Sequence, residues 1–161
     1  MAIVLVTGMS GAGKSTALEL LARRGYRVVD TDTGGWIDHV PTGDGGAEPL
    51  WREDRVAALL AEHARAGAPL FVAGTVRNQG RFRSRFDHVV LLTAPLPVLL
   101  DRVARRAANP YGRTAGQRAA IAADTAEVEP LLRATATVEI DTRAPVDEVV
   151  ARLAALAGPP P

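Results

Sequence analysis

The chain has 161 residues and a mass of 17.0 kDa, about the size of one domain, with 47% hydrophobic residues, 23% charged residues and a formal net charge of +1. That charge is too balanced to argue for a nucleic-acid or membrane partner, and the lack of cysteine excludes a disulfide scaffold and a thiolate metal site. The apolar run Ala2–Val6 is too short for a signal peptide or a membrane span, so the expectation is a cytoplasmic protein with one domain over residues 1–161.

Ala2–Thr7 is continuous, apolar and rich in β-branched residues, which predicts a buried parallel strand. Glycine-rich residues 8–13 follow, then a helix from about Lys14 to Arg24 with Ala17, Leu18 and Leu21 on one side and Gly25 as its stop. A second strand, Tyr26–Asp30, ends in Asp-Thr-Asp. Residues 33–49 hold Gly34, Gly35, Gly43, Gly45, Gly46, Pro41 and Pro49, which predicts mostly irregular, mobile backbone with room for a helical turn at Trp36–Val40. Helical periodicity returns over Leu50–Ala66, closed by Gly67. A third strand, Pro69–Ala73, precedes an arginine-rich loop from Gly74 to Arg85, and Asp87–Thr93 is a fourth strand.

Pro95–Ala107 reads as a helix with Leu96, Leu99, Leu100 and Val103 as its core stripe. Asn109–Gly112 is a breaker, and Thr114–Leu132 is mostly helical, interrupted at Pro130. Thr137–Ile140 is a fifth strand, Val146–Leu156 the last helix, and Gly158–Pro161 a frayed tail. Five buried strands alternating with helices need crossover connections, hence a parallel sheet covered on both faces: a three-layer α/β sandwich.

Of 19 basic residues 18 are arginines, and 29 residues are alanine, a pattern expected from a GC-rich genome. An ordinary solvated surface is therefore the default for most arginines, and Lys14, the only lysine, stands out. It closes the run Gly8-Met9-Ser10-Gly11-Ala12-Gly13-Lys14-Ser15, which fits G-x-x-x-x-G-K-[ST] between a strand and a helix. Such a loop lets the backbone N–H groups of Gly8, Gly11, Ala12, Gly13, Ser15 and Thr16 converge on phosphates at a helix N-terminus. Lys14 then reaches the β- and γ-phosphates of ATP, and the Ser15 hydroxyl serves Mg²⁺. No lysine remains for the Asn-Lys-x-Asp motif of a GTPase, and the third strand ends without the carboxylate of motor and transporter ATPases.

This loop together with Asp30-Thr31-Asp32 resembles the small-molecule kinases of the shikimate and gluconate kinase group, over nearly the whole chain. The resemblance implies a P-loop kinase fold with strand order 2-3-1-4-5, an acceptor region at about 33–66 and a lid at about 107–116. It implies that Asp30 serves Mg²⁺ and that Asp32 contacts the acceptor hydroxyl as base. Arg105 and Arg106, followed seven residues later by Arg113, are similar to that group's lid, with Arg105 or Arg106 near the adenine and Arg113 over the transferring phosphoryl; a solvated helix face is the bland reading of the first two. Asp141–Pro145 lies where the group holds the adenine edge.

The departures bear on the acceptor. Ala73-Gly74-Thr75 replaces the triple glycine of shikimate kinases, and Val128–Leu132 lacks their acceptor-binding arginine, so shikimate itself is not expected. Glu48–Arg55 partly matches a gluconate-kinase stretch, with Arg52 where the first aspartate should stand. Gly74-Thr75-Val76-Arg77 is similar to the Gly-x-x-Arg of nucleoside monophosphate kinases. With Arg81, Arg83 and Arg85 it makes either an anion-binding wall or a basic surface turn. Trp36 and Trp51 flank this region, Trp51 being the better core residue, and Asn78 and Gln79 either orient a polyol or hold a turn. His39, His63 and His88 have no ligand spacing.

The expected function is an ATP- and Mg²⁺-dependent kinase of a small molecule, with Lys14, Asp32 and Arg113 in the chemistry and Trp36, Arg52, Gly74 and Arg77 toward the acceptor. ATP and ADP, a small-molecule acceptor and at most a weak homodimer are its expected partners. The alternatives are a nucleoside or nucleotide kinase and a nucleotide-binding sensor that hydrolyses ATP poorly.

Overall fold

The computed structural model describes residues 2–106 and 110–161. Their elements are β1 (Ile3–Thr7), α1 (Lys14–Arg23), β2 (Arg27–Asp30), β3 (Ile37–Pro41), β4 (Ala47–Trp51), α2 (Glu53–Ala66), β5 (Leu70–Ala73), a 3-10 helix (Arg77–Arg85), β6 (His88–Thr93), α3 (Leu96–Arg105), α4 (Ala115–Thr135), β7 (Val138–Asp141) and α5 (Val146–Ala157).

Strands β2-β5-β1-β6-β7 form a parallel sheet in that spatial order, which is the expected 2-3-1-4-5 when its strands are counted along the chain. Side chains alternate across β1 because strand periodicity is two. Val4 and Val6 join Leu18 and Leu21 of α1 and Val149, Val150 and Leu153 of α5, whereas Ile3 and Leu5 join Val56, Leu59 and Leu60 of α2. Helices thus cover both faces, and each buried aliphatic contributes about 1.5–3 kcal/mol. The order places the C-terminal ends of β1, β2 and β5 side by side, where the Gly-rich loop and the Asp-Thr-Asp segment emerge.

Residues 33–49 depart from expectation. They form an antiparallel hairpin in which Ile37 pairs with Trp51 and Pro41 with Ala47, so no helical turn forms at Trp36–Val40. Its glycines gather at the tip, where Thr42 N–H donates to the Gly46 carbonyl at 2.9 Å and Gly46 N–H to Asp44 Oδ1 at 3.0 Å. A two-stranded ribbon also has outer edges on which proline lacks no ladder bond. Leu50 and Trp51 belong to β4, so α2 starts three residues later than its periodicity predicts.

The arginine-rich loop winds into a 3-10 helix because Gln79 and Phe82 are buried beneath it. α4 runs unbroken through Pro130; the carbonyl of Ala126 that loses its donor lies on an exposed side where water can serve it. The tail is not frayed at Gly158, whose carbonyl accepts from Tyr26 Oη at 2.5 Å. Of the expected lid, residues 107–109 lie outside the described residues, as does Ala107 of the expected helix. Gly112 packs so closely on Val103 that a Cβ would sit 1.8 Å from its Cγ1. Among the described residues no helix is long and apolar enough to cross a membrane.

Candidate functional site

The phosphate loop is pressed against the structure beneath it. A Cβ on Gly8, at φ 153°, would lie 2.6 Å from the Leu92 carbonyl oxygen; one on Gly11, at φ 84°, would lie 2.6 Å from that of Leu99. Gly8 and Gly11 therefore meet both a positive φ and a contact that leaves no room for a side chain, whereas Gly13, at φ 100°, has no heavy atom within 4 Å of a Cβ. From the other side Thr75, just beyond β5, donates its hydroxyl to the Gly8 carbonyl at 2.7 Å and lies 3.0 Å from Thr7 Oγ1. Gln79 Nε2 donates to Thr7 Oγ1 at 3.3 Å, and Gln79 Oε1 accepts from Val76 N–H at 2.9 Å. Hydroxyls and an amide thus stand where larger ATPases place a carboxylate.

Lys14 Nζ donates to the Gly8 carbonyl and, at 3.3 Å, to that of Met9. Burial pushes its pKa down to about 8, against the opposing pull of Asp32 and Asp30. Ser15 Oγ donates to Asp30 Oδ2 at 3.1 Å, and Asp30 Oδ1 accepts from Asp32 N–H at 3.1 Å. The Asp32 carboxyl is raised above its ordinary pKa, first by burial and then by the neighbouring Asp30 charge, with Lys14 opposing. Ser15 and Asp30 form a hard-oxygen pair that could hold Mg²⁺, an ion that uses one or two protein oxygens and fills the rest with phosphate and water.

A cleft of about 580 Å³ runs along Met9–Thr16 and is walled by Glu19, Asp32, Arg102, Arg106 and Tyr111. A mainly apolar hollow of about 200 Å³ lies beside it, lined by Gly13, Thr16, Ala17, Arg102, Thr142, Val146 and Val149, and its size and lining could take a flat ring. Thr142 sits here, within the Asp141–Pro145 segment that the family resemblance puts at an adenine edge.

The candidates divide sharply. Gly11, Ala12, Gly13, Lys14, Ser15, Thr16, Asp32 and Arg106 line the cleft, while Gly8 and Asp30 join it through Lys14 and Ser15. Arg105 pairs instead with Asp101 at 2.9 Å on the exposed side of α3. Arg113 is exposed and donates to the Arg106 carbonyl at 2.7 Å.

On the acceptor side, Trp36 lies under the Arg55 guanidinium at 4.0 Å, Arg52 pairs with Asp38 at 2.9 Å and Arg77 with Glu48 at 3.3 Å. Gly74 is a packing residue: a Cβ there would lie 2.4 Å from Thr31 Oγ1 and 3.1 Å from the Trp51 ring. Trp51 is core, 2% exposed, with Nε1 donating to Thr31 Oγ1 at 3.0 Å. The arginine wall dissolves into separate bonds: Arg81 to Glu53, Arg83 to the Thr135 carbonyl and Arg85 to that of Ala57. Asn78 and Gln79 both hold backbone, Asn78 by gripping Trp51 N–H at 2.9 Å and its carbonyl at 3.0 Å.

His63 is buried with Nε2 on Arg27, and among the described residues no group of three or more His, Asp and Glu side chains could hold a metal. The cleft residues absent from the sequence reading are Met9, Ser10, Glu19, Arg102 and Tyr111. Arg102 had a signal, standing four residues before Arg106 on one helix face; Glu19 and Tyr111 had none.

The family model described as AAA domain matches residues 4–127. A nucleotide-binding protein from Gluconacetobacter diazotrophicus is 33% identical over 144 residues, which is 87% of this chain but 37% of that protein, so the chain spans little more than a third of its relative's length. In structure the chain is similar to shikimate kinase from Acinetobacter baumannii in complex with shikimate (TM-score 0.61, 19% identity, 97% of this chain and 92% of that one). It is also similar to a gluconokinase from Sinorhizobium meliloti 1021 (TM-score 0.55, 25% identity, 97% and 93% covered). The chain therefore belongs to the AAA domain family and has the P-loop nucleotide-binding fold of the shikimate and gluconate kinase-like group.

Proposed function

We propose that the protein is an ATP- and Mg²⁺-dependent phosphotransferase that phosphorylates a hydroxyl of a small molecule. The convergence of Lys14, Ser15 and Asp32 on one cleft, with Asp30 directly behind Ser15, carries this reading. The loop amides and the Lys14 ammonium hold the β- and γ-phosphates; Lys14 leaves the Gly8 and Met9 carbonyls to do so, as its flexible stem allows. Ser15 and Asp30 would hold Mg²⁺, which when bound neutralises charge on the phosphate oxygens. Asp32 takes the proton of the acceptor hydroxyl as that oxygen bonds to the γ-phosphorus, the bond to the β–γ bridging oxygen breaks, and ADP leaves.

Arg102 and Arg106 are the guanidinium groups at the cleft wall, and Arg113 joins them only by releasing the Arg106 carbonyl. The hairpin with Trp36, Arg52 and Arg77 supplies the acceptor side. An acceptor phosphate at Arg77 must first displace Glu48, so a hydroxyl compound is the better fit than a nucleoside monophosphate.

ADP release measured with ATP and Mg²⁺ across sugar acids, cyclitols, nucleosides and hydroxylated antibiotics tests this, with Lys14→Ala as the blank. Acceptor-dependent ADP release that falls by about 10³-fold in the variant is the expected result. Nucleotide binding without any acceptor response, or wild-type turnover in Lys14→Ala, defeats it; the first outcome leaves a sensor.

A further inference from the structure

Arg102 lines both the phosphate cleft and the small apolar hollow, and stands in the wall between them. Its guanidinium bonds to both sides at once. Nη1 donates to the Gly11 carbonyl at 3.2 Å and to Thr142 Oγ1 at 2.7 Å, and Nη2 donates to the Thr142 carbonyl at 2.7 Å. Thr142, the first residue beyond β7, is anchored in turn to the end of β6. Its N–H donates to the Thr93 carbonyl at 2.8 Å and its hydroxyl to the same oxygen at 3.1 Å. That hydroxyl has one proton, already committed, so it presents a lone pair to Arg102. On the opposite side Gly11 rests directly on the Leu99 carbonyl of α3. A planar, permanently charged fork held by three fixed oxygens has one good arrangement, and a displacement of either loop is felt by the other.

We infer that Arg102 is a positioning residue that couples occupancy of the apolar hollow to the geometry of the phosphate loop. A nucleobase seated against Val146 and Val149 then makes the loop a better phosphate site than an inorganic polyphosphate finds. The inference rests on nucleotide binding with the base in that hollow and is independent of whether a phosphoryl group is transferred. Val146 is 44% exposed, so its surface is available for a ring to cover. Arg106, just past the end of α3, lines the phosphate cleft, so the two contacts come from neighbouring points of one segment. Such coupling is reciprocal: phosphates must raise the affinity for the base by the factor by which the base raises theirs.

Calorimetric titration with ATP, inorganic tripolyphosphate and adenosine, each with Mg²⁺, measures the coupling directly. The proteins compared are the wild type, Arg102→Ala, Arg102→Lys, Thr142→Val and the double variant of Arg102→Ala with Thr142→Val, with thermal unfolding as the check on folding. The wild type is expected to bind adenosine more tightly in saturating tripolyphosphate than in its absence. Arg102→Ala reduces that enhancement about tenfold. Arg102→Lys does not restore it, because an ammonium cannot bridge both loops as a fork. Thr142→Val gives a smaller loss of the same kind, and the double variant loses no more than Arg102→Ala alone.

Equal losses for ATP and tripolyphosphate in Arg102→Ala, or restoration by Arg102→Lys, overturn the inference and leave Arg102 as a simple electrostatic contact. If Arg102→Ala does not fold, Thr142→Val decides in its place, because it keeps the guanidinium and the backbone carbonyl. A wild type that binds tripolyphosphate as tightly as ATP overturns the nucleobase reading of the hollow, a failure distinct from loss of coupling alone.

Discussion

The phosphate loop and the β3–β4 hairpin are both rich in glycine, and their glycines stand in opposite surroundings. Gly8 and Gly11 lie where the chain passes within a bond's reach of the Leu92 and Leu99 carbonyls, so a methyl group has nowhere to go. Gly43 and Gly45, at the hairpin tip, have no heavy atom within 4 Å of where a Cβ would stand. The loop is held from below by β6 and α3 and from the side by Thr75, as part of the buried core. The hairpin is held at its two feet. Arg55 Nη1 donates to the Gly34 and Gly35 carbonyls at 2.6 and 2.8 Å, and Asn78 grips both backbone groups of Trp51. One region owes its shape to the whole fold; the other is a local structure held at its feet and by the Arg77–Glu48 pair. That division suits a nucleotide site that stays constant beside an acceptor site free to vary.

Paired glycine substitutions give the widest separation. Gly8→Ala adds both a clash and a strained φ, so it should cost about 3 kcal/mol and lower Tm by roughly 8 °C. Gly43→Ala should leave Tm within about 2 °C. Thermal unfolding of the two variants checks this, and similar shifts would erase the contrast.

Chemistry comes next in size. Asp32→Asn should lower kcat about 10²- to 10⁴-fold while leaving nucleotide affinity largely intact; an equal loss of ATP binding would place Asp32 on the metal instead. Because the Asp32 carboxyl is raised and acts deprotonated, the wild-type kcat should climb with pH to a plateau reached above the usual carboxylate range. The Lys14 ammonium is needed charged, so kcat/KM for ATP should fall as pH rises through about 8. A pH profile in which the alkaline limb survives Lys14→Arg would assign it to another group.

The same pKa carries a stability consequence. Lys14 is shifted from 10.5 in the unfolded chain to about 8 in the fold, so the unfolded state binds more protons between those values and stability rises with pH across that window. Below pH 8 the partly buried ammonium is destabilising, so Lys14→Met should raise Tm near neutral pH while removing phosphate binding. An unchanged or lower Tm in that variant would mean that the Gly8 and Met9 carbonyls compensate the burial.

The hairpin's anchor predicts a smaller and more selective effect. Asn78→Ala removes two bonds to Trp51 and should cost about 2 kcal/mol, raise the acceptor KM several-fold and leave ATP affinity within about twofold. Loss of ATP affinity in that variant would show that the two regions are not separable. Asp44→Ala, at the exposed hairpin tip, should shift Tm by no more than about 2 °C.

Continuous apolar runs such as Ile3–Thr7 and Leu70–Ala73 declare buried strands by themselves, because a strand covered on both faces needs no alternation. The loop motif and Asp-Thr-Asp were equally legible, since adjacent backbone groups and neighbouring carboxylates meet wherever the fold puts them. The hairpin was hidden by its own glycines and prolines, which signal irregular backbone unless the pairing of Ile37 with Trp51 is known. Composition likewise made Arg77, Arg81, Arg83 and Arg85 look like one basic surface, whereas each finds its own carboxylate or carbonyl partner only after packing.

The sequence alone therefore determined the strands of the sheet and the Gly-rich loop, because these depend on contiguous residues and on periodic burial, while the strand order came from the family resemblance. Tertiary structure decided that Arg102 joins Gly11 to Thr142, that Thr75 braces Gly8 and that Tyr111 faces the cleft. Those contacts unite residues 40 to 91 positions apart, at distances that no local pattern encodes. Packing alone brings such partners together.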